Sequence, residues 1–209
     1  MERYLVFCAH PDDEIVGMGG SLSKYAKEGV EIVTVIFSFG EKSQPHLKEE
    51  HIAKTRVLES HKVDYLIGKE SIFLGLDEGK IIEQAEELDV RDKVRRIIRK
   101  YRPKKIFTLS STDPHKDHRD VNSIITSVFD EMKYKGELYT FEVWNVVNEN
   151  NPAVYVDVSS TFKKKLSLLK RYKSQKVFIY FLWLPIYFRG RRYGSKIGCD
   201  YAEKFYKIR

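Results

Sequence analysis

Apolar runs alternate with helix-like stretches along the chain, the pattern of a mostly parallel sheet with helices on both faces. Tyr4 to Ala9 is an apolar run of the kind that forms a buried parallel strand. A helix is expected from near Asp12 through Gly19-Gly20 toward Lys27. Glu31 to Phe39 reads as the second strand. His46 to His61 is helical in character, with Ile52, Val57 and Leu58 turned inward, and Val63 to Ile67 reads as a short third strand. Leu88, Val94, Ile97 and Ile98 recur at helical spacing and predict one helix over 85–101. Its acids come early and its bases late, as the helix dipole favours. Pro103 stops it before a fourth strand at Lys105 to Ser110. A helix over 121–132, strands near 138–143 and 153–158, and a helix over 163–175 complete the reading. No repeat or low-complexity linker divides the sequence, so a single α/β domain over 1–209 is expected, with 163–209 as a C-terminal appendage.

The first strand ends abruptly in His10-Pro11-Asp12-Asp13-Glu14, and the fourth is followed by Asp113-Pro114-His115-Lys116-Asp117-His118. Open α/β sheets carry their chemistry at the carboxyl ends of strands, and in a doubly wound order the first strand lies beside the fourth. That order brings both clusters into one crevice. A hydrolytic zinc site takes three ligands from His, Asp or Glu and keeps a position for water, whose pKa falls toward ~7. His10, Asp13 and His118 can supply that set. Asp12, adjacent to a ligand, is placed as a general base. His115 as an imidazolium can stabilise an oxyanion or protonate a leaving amine, with Asp117 orienting it and raising its pKa. Glu14 is either a partner of a ligand or a first-turn acid, and Asp113 before Pro114 either starts a turn or joins the site. Gly17, Gly19 and Gly20 lack the spacing of a dinucleotide fingerprint and instead permit close packing of helix on sheet.

These residues carry a resemblance. His10-Pro11-Asp12-Asp13-Glu14 resembles the (A)HPDDE signature of the PIG-L/LmbE-like zinc-dependent N-acetylglucosaminyl deacetylases. His115-Lys116-Asp117-His118 resembles that family's HPDH motif, with Lys116 in place of proline. The resemblance implies a Rossmann-like fold and Zn2+ on His10, Asp13 and His118. It also implies Asp12 as base, with His115 and Asp117 as acid or oxyanion partner and its orienter. Arg56-Val57-Leu58-Glu59 is similar to the family's R-x-x-E helix, whose arginine lies near the substrate, so Arg56 is a substrate-binding candidate. Leu74 to Gly79 is similar to its L-G-L-x-D-G stretch. Ser174-Gln175 and Tyr201-Ala202-Glu203-Lys204-Phe205 resemble its SQ and YAE-x-F elements. The implied activity is removal of acetyl from a small N-acetylated sugar of the N-acetylglucosamine type, with a phosphate- or lipid-linked sugar among the candidates.

Composition adds a charge asymmetry. From Lys163 to Arg209 there are 14 Lys and Arg against Asp200 and Glu203, so the net charge of +7 combines +12 there with −5 over the rest. A basic segment attracts anionic lipid, nucleic acid or phosphorylated substrates alike, and no recognition motif supports nucleic acid, which is not expected as a partner. Two cysteines are too few for a disulfide framework. With no secretory leader pattern at the N-terminus, a cytoplasmic setting is expected. The aromatic run Val177 to Phe188 is about twelve residues, short of the about 20 that span a bilayer. With the bases out to Arg192, it reads as a lid on the sugar pocket, a homo-oligomer contact or a peripheral membrane contact over 177–192.

Overall fold

The computed structural model describes the whole chain except residues 145, 147 and 148. Strands β1 (Arg3–Cys8), β2 (Glu31–Ser38), β3 (Glu70–Leu76), β4 (Lys105–Leu109), β5 (Glu137–Phe141), β6 (Ala153–Asp157) and β7 (Ala202–Lys207) form one sheet in the order β3-β2-β1-β4-β5-β7-β6. The first five in that order are mutually parallel. β7 runs antiparallel to both β5 and β6. The fold is α/β and Rossmann-like. Both β1 and β2 are almost wholly apolar and buried, as strands covered on two faces require.

Helices α1 (Asp13–Lys27), α2 (Glu49–Ile67) and α6 (Phe162–Leu169) form one layer through α1, which packs on both others. α3 (Ile81–Glu87), α4 (Val90–Tyr101) and α5 (Lys116–Glu131) pack on one another as a second layer. The close approach expected of the glycines is present: a Cβ at Gly17 would lie 2.3 Å from the Phe141 ring. The last helix, α7 (Lys176–Ile197), lies against β6 and β7.

Several elements depart from the sequence expectation. Val63 to Ile67 is the end of α2, and the third strand begins only at Glu70, after Gly68 closes the helix at positive φ. The inner face of α2 holds Ile52 and Val63 together with Arg56, Glu59, Ser60 and Asp64, while Leu58 is 60% exposed. The stretch 85–101 is two helices broken at Leu88-Asp89, with Asp89 in the left-handed region and Leu88 turned to solvent. The C-terminal segment supplies β7, which inserts between β5 and β6.

Candidate active site

β1 and β4 are parallel neighbours, with Tyr4 opposite Lys105. Strand order reverses between them, and both acid–histidine clusters emerge at their carboxyl ends. The short link from β1 to α1 is folded by Asp13, whose Oδ2 accepts the backbone N–H groups of Ala9 (3.1 Å) and His10 (2.8 Å). That leaves Oδ1 free to face His118 Nε2 at 3.3 Å, while His10 Nδ1 lies 3.7 Å from Oδ2. Burial works against a charged Asp13, but His118 and His10 outweigh it and hold the carboxyl below its usual range.

His118, on the first turn of α5, is fully buried. Its Nδ1 lies 3.0 Å from Asp113 Oδ1, and neither ring nitrogen has a hydrogen bond of good geometry. Burial disfavours its charged form, yet the flanking carboxylates of Asp13 and Asp113 push its pKa up to about 10. The pocket thus sets the ring between two carboxylates. Two donors about 3.3 Å apart match neighbouring ligands on a tetrahedral ion with bonds of about 2.0 Å. The residues therefore fit a divalent metal. Nitrogens of His10, His115 and His118 also lie within 4.8 Å of one another, so the three rings crowd around one point.

Asp12 caps α1 with φ of 110°, in the region that non-glycine residues rarely adopt. Its conformation is held from two sides. Glu14 Oε2 accepts the Asp12 N–H at 3.3 Å, and Arg56 Nη2 donates to Asp12 Oδ1 at 3.1 Å and to the Pro11 carbonyl. Arg56 Nη1 also donates to the Gly40 carbonyl at 3.0 Å. Burial pushes the Asp12 carboxyl up to about 7, against the pull of the Arg56 guanidinium.

The expected pairing of Asp117 with His115 is not formed through the carboxylate. Asp117 Oδ2 instead meets His10 Nε2 at 3.1 Å and accepts the Gly79 N–H at 2.9 Å. The reason is helix capping: His115 is the N-cap of α5, and its Nδ1 accepts the backbone N–H of Asp117 at 3.2 Å. That bond leaves Nδ1 without a proton and the hydrogen on Nε2. Burial, followed by His10 and His118, draws the His115 pKa below its ordinary value rather than raising it. Lys116, where the motif has proline, points outward to Asp120 at 2.7 Å.

A cavity of about 230 Å³ opens over these groups. His10, Asp12, Asp13, Arg56 and His115 line its polar floor, and Trp144, Phe178, Ile179 and Leu182 line its apolar wall. The aromatic run of α7 is therefore half wall and half outer surface.

Sequence reasoning undervalued several supports. Asp113 both forms the turn, accepting the His115 N–H at 2.9 Å, and faces His118. Glu59 accepts from Ser174 N at 3.0 Å and Oγ at 2.6 Å, which brings Gln175 to the cavity. Lys69, fully buried, bridges Glu14 at 3.3 Å to Asp64 beneath the site. Motif spacing hinted at Glu59. Nothing local marked Lys69.

Residues 5–129 match the protein-family model described as PIG-L: GlcNAc-PI de-N-acetylase. The chain is 23% identical over 221 residues to the diacetylchitobiose deacetylase of Thermococcus kodakarensis, covering 97% of this chain and 82% of that protein. Among solved structures it resembles the N,N'-diacetylchitobiose deacetylase of Pyrococcus horikoshii (TM-score 0.84, 24% identity, 99% and 84% of the two chains). It also resembles GalB, the 4-carboxy-2-hydroxymuconate hydratase of Pseudomonas putida KT2440 (TM-score 0.86, 18% identity, 100% and 97%). These structural likenesses establish the shared fold.

Proposed function

This chain belongs to the PIG-L family of GlcNAc-PI de-N-acetylases, and from that membership we propose that it hydrolyses the N-acetyl group of an N-acetylglucosamine-type sugar. The observation that carries the reading is the cavity floor, where Asp12, His115, His10 and Asp13 converge, with the buried His118 3.3 Å from Asp13. The deacetylase relatives in Thermococcus and Pyrococcus support it. A zinc ion on His10, Asp13 and His118 would polarise the amide carbonyl and make water nucleophilic near neutral pH.

The chain's own groups do the rest. Asp12 takes the proton of the attacking water, with Arg56 fixing its carboxylate toward the cavity. The Nε2–H of neutral His115 donates to the oxygen on which negative charge develops, and its tautomer is set by the α5 amide on Nδ1. Asp12 then returns the proton to the leaving nitrogen as the C–N bond breaks, giving acetate and a free amine. Asp117 and Asp113 hold the rings of His10 and His118 by their other nitrogens. Trp144 and Phe178, with rings 6.2 Å apart, offer the apolar surface on which a sugar stacks.

The basic C-terminal segment favours a sugar carrying phosphate, and equal activity with and without that group would overturn the preference. Both cysteines are unpaired, which supports a reducing, cytoplasmic setting for a one-domain enzyme.

The test is acetate release from N-acetylglucosamine derivatives by zinc-loaded protein, beside an Asp12→Ala control. Release that requires both zinc and Asp12 supports the reading. Because GalB has the same fold, hydration of a conjugated hydroxymuconate by protein that releases no acetate would replace it.

A further inference from the structure

Helix α7 has two opposed apolar faces. Ile179, Leu182 and Ile186 form the buried one, and Ile179 and Leu182 wall the cavity. On the other side Val177, Tyr180, Phe181, Leu184 and Phe188 follow one another at helical spacing, each 63–78% exposed. Five large side chains aligned in water are an unusual outer face, since scattered exposure is the norm and contiguous exposure marks contact surfaces.

Exposed bases bracket this stripe: Lys173 and Lys176 precede it and Arg192 follows it, beside Arg191, which pairs with Asp200 at 3.0 Å. No Asp or Glu occurs in α7. Lys170 lies 5.2 Å over the Trp183 ring on the flank of the helix. Among the described residues no helix is long and apolar enough to cross a membrane. An amphipathic helix lying in the bilayer interface needs an aromatic and aliphatic stripe, bases reaching the headgroups, and too little length to span.

We propose that α7 docks this protein on an anionic bilayer surface, with the stripe from Val177 to Phe188 at the boundary between headgroups and acyl chains. The charge pattern selects this occupant over a second copy. An antiparallel two-fold pairing of the stripe with itself would set Lys173 and Lys176 of one chain against Arg192 of the other, a repulsive arrangement. Anionic headgroups complement both ends at once. Phe178, next in chain to the stripe, lines the cavity, so docking sets the cavity mouth beside the lipid surface.

The test uses the full chain with vesicles of phosphatidylcholine alone and of phosphatidylcholine with phosphatidylglycerol, read by cosedimentation. Light scattering without lipid reports the oligomeric state. The wild type is expected to bind the anionic vesicles only, more weakly as salt rises. Phe181→Asp/Leu184→Asp should lower partition by about tenfold or more. Lys176→Glu/Arg192→Glu should do the same and keeps the test open if the first pair fails to fold. Acetate release from a water-soluble sugar without phosphate should be unchanged by either pair, so failure here is distinct from failure of the deacetylase reading. No binding to anionic vesicles at low salt overturns the proposal. So does binding unaffected by the variants, or a lipid-free dimer that Phe181→Asp/Leu184→Asp dissociates.

Discussion

Glu203 joins the last strand of the sheet to the helix that carries the site. Its carboxylate accepts the backbone N–H of Gly20 at 3.1 Å and of Ser21 at 2.7 Å, and it pairs with Lys165 Nζ at 2.6 Å. α1 departs from helical geometry at Met18, and Glu203 takes the two amides just beyond that break. All three partners are buried. Glu203→Ala would strand two amides, at about 1–3 kcal/mol each, and break a buried pair, at about 3–5 kcal/mol. These losses overlap. Burial already draws the Lys165 pKa down, and loss of the Glu203 carboxylate removes the main charge that holds it up. A cavity of about 20 Å³ lined in part by Lys165 and Glu203 has room for one water. A net loss of about 5 kcal/mol is expected, comparable to the whole stability of a marginal domain of about 5–15 kcal/mol. Urea unfolding followed by circular dichroism measures it. Glu203→Gln, which retains an acceptor oxygen, should lose about half as much. The double variant Glu203→Gln/Lys165→Met should be more stable than the two singles summed predict, by about 1–3 kcal/mol. A loss below about 1 kcal/mol for Glu203→Ala, or strict additivity in the pair, would refute the reasoning.

Three other expectations follow from the site. Asp12→Asn should lower turnover by about 10²–10⁴ while zinc affinity stays within a few-fold, and a variant with wild-type turnover removes Asp12 as the base. Asp113→Asn keeps the oxygen that accepts the His115 N–H but loses the charge facing His118, so zinc affinity should fall about 10–100-fold with the fold intact. Competition with a chromogenic chelator reads this, and unchanged affinity counts against it. Gly40→Ala sets a Cβ 2.0 Å from Arg56 Nη1 at a φ of 64°, so it should destabilise by about 1–3 kcal/mol and lower turnover alongside Arg56→Lys. Normal turnover in Gly40→Ala would detach Arg56 from Asp12.

Much of the site was legible because its parts are local in sequence. His10, Asp12 and Asp13 follow one apolar strand, and His115 and His118 follow another. Only the adjacency of β1 and β4 had to come from fold rules. The partner of Asp117 was misread because chain proximity suggested His115, whereas the N-cap geometry of α5 sends that carboxylate across to His10. β7 went unread as a strand because Ala202 to Lys207 mixes charges into a buried run. Its Glu203 and Lys204 are tolerated inside because Lys165 and Glu142, among other partners, meet them there.

The misreading of α2 has the same cause and says more about the molecule. Hydrophobic periodicity assumes that the inward face of a helix is apolar. On α2 the inward face includes Arg56, Glu59 and Asp64, and Leu58 and Tyr65 point to solvent. Each inward charged group is matched from outside the helix: Arg56 by the carbonyls of Pro11 and Gly40, Glu59 by Ser174, Asp64 by Lys69 just past the helix end. A helix that contributed only packing would have no reason to accept buried charges, since leaving any one of them unmatched costs several kcal/mol. α2 accepts them because its inner face buttresses the strained Asp12 and draws Gln175 to the cavity. The failure of the hydrophobic pattern therefore falls where the structure supports Asp12, the proposed base, the place where local propensity and the proposed function conflict.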